Sequence, residues 1–420
     1  MLWTSDPNLC FDGTEEVNTH QDSIRLKKYD FIETVDRVIQ QHRGIGLNKF
    51  SIRFRIWPDY FDYLDRWIGF AVASKAKEID IDLIDSTDLY ENSYHFPLDA
   101  LDAQGSSFVE SMRLSDGCIK PHPNIGGFTK LTRLVLRFVD IFGDLSDLLL
   151  KCPFLNDFHI HDCFGVANLR IPHQLDKLQT LKIAGEDVQT VECHSAGLAN
   201  FEYTGAVIPI LLHGFSKLEK ASISVREGEN TLVHAFTEFP SILAVKVLNV
   251  FASLWGYNDQ LHTLTTRPHG MFMHLKHLTC TIFIFYDDLN SHNGLVQLAH
   301  CLDFAPQLET LHLDMDYMRL LDHCWNGEAT GDGCHMHRHD HLKTVYMSGF
   351  RCFRTQVALA CCILENSVVL KQMTIEPKFK SYSSHRNSNI PVYRIHEWAQ
   401  HMSERFGEGI TVLVEAPLQL

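Results

Sequence analysis

The sequence predicts an α/β solenoid: a horseshoe of stacked short units with a parallel concave sheet and an irregular helical convex side. Three observations predict it. The pattern L-x-x-L-x-L, with apolar substitutes, recurs thirteen times along the chain. The spacing between copies is irregular, but several steps in the middle of the chain are 20 to 24 residues long. Between several copies lie stretches with apolar residues at helical spacing.

The copies run in order from Leu47/Phe50/Ile52, Ala76/Ile79/Ile81 and Val109/Met112/Leu114 to the clearest series in the middle. That series is Leu131/Leu134/Leu136, Leu155/Phe158/Ile160, Leu178/Leu181/Ile183, Leu198/Phe201/Tyr203 and Leu218/Ala221/Ile223. Ile242/Val245/Val247 reads as the next copy. Leu275/Leu278/Cys280, Leu308/Leu311/Leu313, Leu342/Val345/Met347 and Leu370/Met373/Ile375 follow. From Leu131 to Leu155 is 24 residues, from Leu155 to Leu178 is 23 and from Leu178 to Leu198 is 20, which is the leucine-rich-repeat period. The steps from Leu275 to Leu308 and on to Leu342 are 33 and 34, long enough for inserted helices or loops. In each copy the last two apolar residues are two apart on a short strand, so they face one side. One unit cannot bury that face alone, and stacking turns it into a continuous core. The x residues then point outward into the groove. Cys163 stands three residues after Ile160, at the repeat's Asn/Cys turn position.

Helices are expected over Ser23–His42 (Phe31, Val35, Val38, Ile39), Tyr63–Ser74 (Leu64, Trp67, Ile68, Ala71), Val357–Leu364 and Val392–Phe406 (Ile395, Trp398, Ala399, Met402). Gly409–Pro417 reads as a short terminal strand. Trp57, Tyr60, Phe61 and Tyr63 read as packing for a capping helix, and Trp3, Leu9 and Phe11 as an N-terminal lid.

Composition narrows the function. The 420 residues exceed one ordinary core, 45% of them are hydrophobic, and the net charge is −15. An acidic chain without a Lys/Arg stripe does not suit nucleic acid. No apolar run approaches a membrane span, the start lacks a secretory pattern, and no Asn-x-Ser/Thr sequon occurs. The 12 cysteines show no C-x-x-C spacing. Free thiols in an intracellular compartment, cytoplasmic or nuclear, are expected, with no membrane and no nucleic-acid partner.

Several segments, taken in order, resemble plant F-box/leucine-rich-repeat proteins. LWTSDPNLCFD (Leu2–Asp12) is similar to the segment that follows the F-box, and FIETVDRVIQQHRG (Phe31–Gly44) to the next helix. LNKFSIRF (Leu47–Phe54), LDRWIGFAV (Leu64–Val72), KEIDIDL (Lys77–Leu83) and CPFLNDFHIHDC (Cys152–Cys163) continue the likeness. HLKTVYMSGF (His341–Phe350) and LENSVVLKQMTI (Leu364–Ile375) resemble the terminal FBD region. The resemblance implies a substrate-binding repeat region of an SCF ubiquitin ligase. The F-box itself would lie upstream of Leu2, so a Skp-type adaptor is implied as a partner only where an F-box precedes this chain. The alternative is a free-standing repeat scaffold or ligand sensor. The expected organisation is a post-F-box segment and capping helix over 1–44, the repeat array over 45–320, a His-rich insertion over 321–340, FBD-like repeats over 341–376, and a linker and cap over 377–420.

Binding is expected to fall to outward strand residues: Asp80, Asp82, Arg133, Asp157, His159, Lys182, Glu202 and Asp314. The acidic pairs Asp80/Asp82 and Asp314/Asp316 could meet a basic ligand, although solvated strand residues are the plainer reading. The tract CHMHRHDH (Cys334–His341) alternates histidines. His335, His337 and His339 would share a face in an extended segment and are weak metal candidates beside the loop NGEATGDG (Asn326–Gly333). No nucleophile elbow, phosphate loop or His-Glu-x-x-His motif is present, so neither enzyme chemistry nor a cofactor is expected.

Overall fold

The computed structural model describes residues 5–14, 21–43, 46–55, 57–84, 93–103, 108–213, 217–226, 231–237, 239, 242–255, 270–285, 295–317, 336–377, 392–406 and 411–414. Trp3, His335, the loop at 326–333 and the polar stretch at 378–389 lie outside them. The chain forms two compact units, Met1–Ala199 with Ile208–Lys217, and Asn200–Val207 with Leu218–Leu420.

In the first unit the elements are β1 (Asn8–Asp12), α1 (Gln21–Gln41), β2 (Lys49–Arg53), α2 (Phe61–Ala73), β3 (Glu78–Asp82), α3 (Leu98–Ala103), β4 (Ser111–Ile119), β5 (Arg133–Ile141), α4 (Leu145–Leu149), β6 (Asp157–His161), β7 (Asn168–Ile171), β8 (Thr180–Ala184) and β9 (Thr190–Cys193). After β10 (Asn200–Gly205), which belongs to the second unit, β11 (Ile210–Leu212) completes the first. Strands β1 to β6 and then β8 form one all-parallel sheet. Its register aligns the repeats: Phe50 stands beside Ile79, Met112, Leu134, Phe158 and Leu181. This row and the next one, from Ile52 to Ile183, are buried throughout.

Two findings depart from the sequence reading here. Residues 8–12 are not a lid but the first strand, paired with β2 so that Leu9 lies beside Phe50. The short repeats also carry little helix behind the sheet, only the five-residue α4 in the repeat from Leu131 to Leu155. Instead β7, β9 and β11 form a second parallel sheet, in the order β11-β9-β7. Its alternate residues Leu169, Ile171, Val191 and Cys193 are buried. A repeat of 20 to 24 residues has no room for a helix of ordinary length plus two turns, and a short strand fills the back of the unit instead.

The aromatic residues around α2 pack as expected. Phe61 meets Tyr94 at 5.1 Å between ring centroids and Tyr63 meets Trp67 at 6.2 Å. Trp67 is fully buried and donates its indole N–H to Asp36 of α1 at 2.7 Å.

The second unit contains α5 (Thr231–Thr237), β12 (Lys220–Val225), β13 (Val247–Trp255), β14 (His277–Phe285), α6 (Val296–Leu302), β15 (Thr310–Tyr317), β16 (Thr344–Ser348), α7 (Arg354–Asn366), β17 (Gln372–Glu376), α8 (Val392–Phe406) and β18 (Thr411–Val414). With β10 its strands again pair in parallel, one after the next. The ninth repeat is shifted from the sequence reading. Ala221 pairs with Leu248 and Ile223 with Val250, so the inward set is Val245/Leu248/Val250, while Val247 falls on the partly exposed row beside Lys220. Among the described residues, several of the longer repeats carry helices: α5 precedes β13, α6 precedes β15 and α7 precedes β17. Helix α7 is buried on nearly every side, because α8 covers it: Met402 meets Cys361 at 3.9 Å between sulfurs, and Arg405 pairs with Glu365 at 2.9 Å.

At the entry of several strands, charged residues link neighbouring repeats. Lys246 pairs with Glu219 at 3.0 Å, and Glu309 takes both Lys276 (2.9 Å) and Lys343 (2.6 Å). The two ammonium groups hold the Glu309 carboxyl down to about 2. Such exposed pairs fix register more than they add stability.

Candidate functional site

The alternation of each strand turns its odd residues away from the core, and parallel register lines them up across repeats. In the first unit one outward row runs Lys49, Glu78, Ser111, Arg133, Asp157, Thr180. A second contains Asp80, Arg113, His159 and Lys182, and a third Arg53, Asp82, Ser115, Arg137 and His161. Opposite charges meet across strands. Asp80 lies 3.8 Å from Lys49 and 4.0 Å from Arg113, and Asp82 lies 3.3 Å from Arg53. Asp157 takes Arg133 at 3.4 Å on one oxygen and His159 at 2.8 Å on the other. The acidic residues are therefore neutralised within the protein, and this face is a charge mosaic, not an acidic groove.

His159 is held below its ordinary range, first by desolvation and then by the nearby Lys182 and Arg133, against the opposing pull of Asp157. Its imidazole is therefore neutral near pH 7.

Beyond these rows β5 carries a feature the sequence reading passed over. Phe138 adopts a left-handed conformation (φ +51°), rare for a bulky residue. It forms a bulge aligned with that of Asp116 on β4, since Arg137 pairs with Ser115 and Val139 with Gly117. Val139 and Ile141 stay buried, while Phe138 and Phe142 are 45% and 53% exposed on either side of Asp140. Phe164, 49% exposed, bridges to Asp140 from the neighbouring repeat. The Phe138 ring stands edge-on to His161 at 5.6 Å. Backbone register thus places three exposed phenylalanines next to Asp140 at the end of the mosaic. The sequence signal was there: R-F-V-D-I-F continues β5 outward with Phe138 and Phe142 flanking Asp140 on the face away from the core.

In the second unit the outward row Glu202, Ser222, Asn249, Thr279, His312, Tyr346 and Thr374 is mostly neutral. Asn249 donates to Ser222 at 3.0 Å, and the His312 and Tyr346 rings lie 5.6 Å apart. The Tyr346 hydroxyl donates to the buried Glu376, and the Ser348 hydroxyl to Asp314. Of the eight expected residues, Asp80, Asp82, Arg133, Asp157, His159 and Lys182 lie on the first unit's face, while Glu202 and Asp314 lie on the second's. The structure joins Arg133, Asp157 and His159 directly.

Within the histidine tract the two described candidates, His337 and His339, do not share a face. His337 is exposed and bonded to Asp303, both through its ring at 2.7 Å and through its backbone N–H at 2.7 Å. His339 turns inward, 2% exposed, with its backbone bridged to Asn366 and Val368. Burial holds His339 below its ordinary value, against the charge of Asp303 and Asp340. The unfolded chain therefore takes up its proton first as pH falls. This contribution to stability is complete above about 6.5 and is lost as pH falls from there toward the folded value. Urea unfolding should show stability declining from pH 7 to pH 5, with a smaller slope in His339→Gln; an identical slope in the variant would refute this assignment.

Register-aligned parallel strands, stacked repeat by repeat on a leucine-patterned core, make this chain a leucine-rich-repeat protein. It belongs to the family described as At1g61320/AtMIF1, LRR domain, whose family model matches residues 38–405. No curated protein matches the chain significantly. Among the described residues no helix is long and apolar enough to cross a membrane.

Proposed function

We propose that the chain is a protein-interaction scaffold without catalytic chemistry, and that in the first unit it holds its partner on the outward rows ending at Phe138, Phe142 and Phe164. The exposed phenylalanines around Asp140 carry this reading. Clustered exposed aromatics supply anchoring area that a monomer gains nothing by exposing. A non-glycine residue held at positive φ costs about 1 kcal/mol or more, a strain retained where function needs it. The charge pair Arg133 and Asp157, with the neutral His159 beside it, would then supply orientation more than affinity.

Phe138→Asn combined with Phe164→Ser tests it. Asparagine tolerates the left-handed region, so the unfolding midpoint should hold or rise. Capture of specific proteins from a cell extract should fall about tenfold, as expected on losing anchor residues. Tyr393→Ser, at an exposed site of the second unit, serves as control. Undiminished capture by the double variant would overturn the reading.

A finer reading is that these repeats are the substrate-holding part of a ubiquitin-ligase receptor. It is supported by the ordered segments Leu2–Asp12, Phe31–Gly44 and Cys152–Cys163 and their likeness to plant F-box proteins. A pull-down against a Skp-type adaptor tests it, using this chain and a version with an F-box fused ahead of Leu2. Binding by the fused version alone supports it, and binding by neither favours a free-standing scaffold. An intracellular setting accords with thiols made unreactive by burial, which pushes Cys152, Cys163 and Cys301 up to about 12.

A further inference from the structure

We propose that Glu192, His194 and His213, on the second sheet of the first unit, form a binding site for a borderline divalent transition-metal ion of the zinc or copper type. The placement follows from register. Glu192 and His194 are two apart along β9 and its continuation, so they share a face. Strand β11 pairs with β9 so that Leu212 stands beside Cys193, and the His213 N–H donates to the Cys193 carbonyl at 2.8 Å. His213 is thereby set next to His194. Cys193 and Leu212 turn into the core, which leaves both histidines and the carboxylate on the surface.

The ligand atoms are already gathered. One oxygen of Glu192 lies 2.9 Å from His194 Nε2 and 3.9 Å from His213 Nε2, and all three ligand atoms lie within 4.8 Å of one another. The imidazole rings stack at 4.5 Å with 5° between their planes, and because each nitrogen lone pair lies in its ring plane, the rings must tilt apart for both to meet one ion. Ligands about 2.1 Å from a tetrahedral zinc stand about 3.4 Å apart, and rotation of the two exposed histidine side chains out of their stack would bring the ligand atoms to that spacing. Two imidazoles and a carboxylate favour zinc, copper or nickel over calcium or magnesium. The second Glu192 oxygen faces Arg170 of β7 at 3.6 Å, in register across the sheet. Arg170 thus orients the carboxylate from behind while leaving the first oxygen for the ion. Solvent would complete the coordination shell. The site was not legible in the sequence, because its third ligand comes from a second strand and the set matches no metal-binding motif.

Zinc titration of tag-free full-length protein, read by competition with a chromophoric chelator, tests the proposal. One equivalent should bind saturably in the micromolar range and raise the unfolding temperature. His194→Ala and His213→Ala should each weaken binding about tenfold or more. Glu192→Gln should also weaken it, and His337→Ala should not. The two histidines are exposed and Glu192 is half-buried, so unfolding without metal should change little in any variant. Zinc binding unchanged by both histidine substitutions would place the ion elsewhere, and no saturable binding below about 100 µM, far weaker than structural zinc sites, would equally overturn the proposal.

Discussion

Leu181→Asp should unfold the first unit's sheet around β6 and β8. Leu181 is fully buried and sits in register beside Phe158 on the continuous inner row. The substitution removes about 2 kcal/mol or more of apolar burial. It also places a carboxylate in a layer with no cation to meet it, which costs several kcal/mol more. The total, about 5 kcal/mol or above, rivals the whole stability of a typical domain. Stacked repeats depend on their neighbours, so the loss should spread to adjacent strands before it reaches distant ones. Hydrogen exchange should show the amides of β5, β6 and β8 losing protection together. Lys182→Ser, one residue along on the outward face, should stay within about 0.5 kcal/mol of the parent, the usual range for a surface change. An unchanged midpoint in Leu181→Asp would mean that the inner row does not hold the array.

That contrast between neighbouring residues was readable in the sequence because a period of two needs only local pattern. Twelve of the thirteen copies stand where the pattern put them. The exception is instructive. Ile242, Val245 and Val247 satisfy the apolar spacing as well as Val245, Leu248 and Val250 do, and only pairing with β12 and β14 chooses between them. The second sheet was hidden for a related reason. Leu169/Ile171 and Val191/Cys193 alternate correctly, but three- and four-residue strands lie below what periodicity can separate from chance. At the outward face, alternation showed which side chains point away from the core but not which ones meet. Arg133 and Asp157 are neutral together only because a repeat of 24 residues returns one beside the other. The acidic reading of Asp80 and Asp82 missed Lys49, Arg113 and Arg53 for the same reason.

Gln356→Leu should destabilise the second unit by about 3 kcal/mol or more, although the two side chains are similar in size. Gln356 is fully buried in the first turn of α7. Its carbonyl oxygen accepts from the backbone N–H groups of Arg351 (2.8 Å) and Phe353 (3.3 Å). Its amide nitrogen donates to the Gly349 carbonyl at 2.9 Å and meets the Met315 sulfur at 3.5 Å. One side chain thus satisfies three backbone groups of the turn between β16 and α7, in an interior that water does not reach. The turn itself has no slack. Gly349 holds φ +73°, and a Cβ there would come within 1.9 Å of the Met315 carbonyl oxygen, so the backbone cannot shift to find other partners. Leucine leaves those groups unpaired. Gln356→Glu separates hydrogen bonding from packing. At neutral pH its second oxygen would face the Gly349 carbonyl, and burial would raise its folded pKa above the unfolded value. Its deficit should therefore shrink as pH falls and the acid gains a proton to donate, whereas the leucine deficit should not change with pH. Urea unfolding of both variants across pH 5 to 8 decides the matter. A leucine variant within about 0.5 kcal/mol of the parent would show that the turn finds its hydrogen bonds elsewhere.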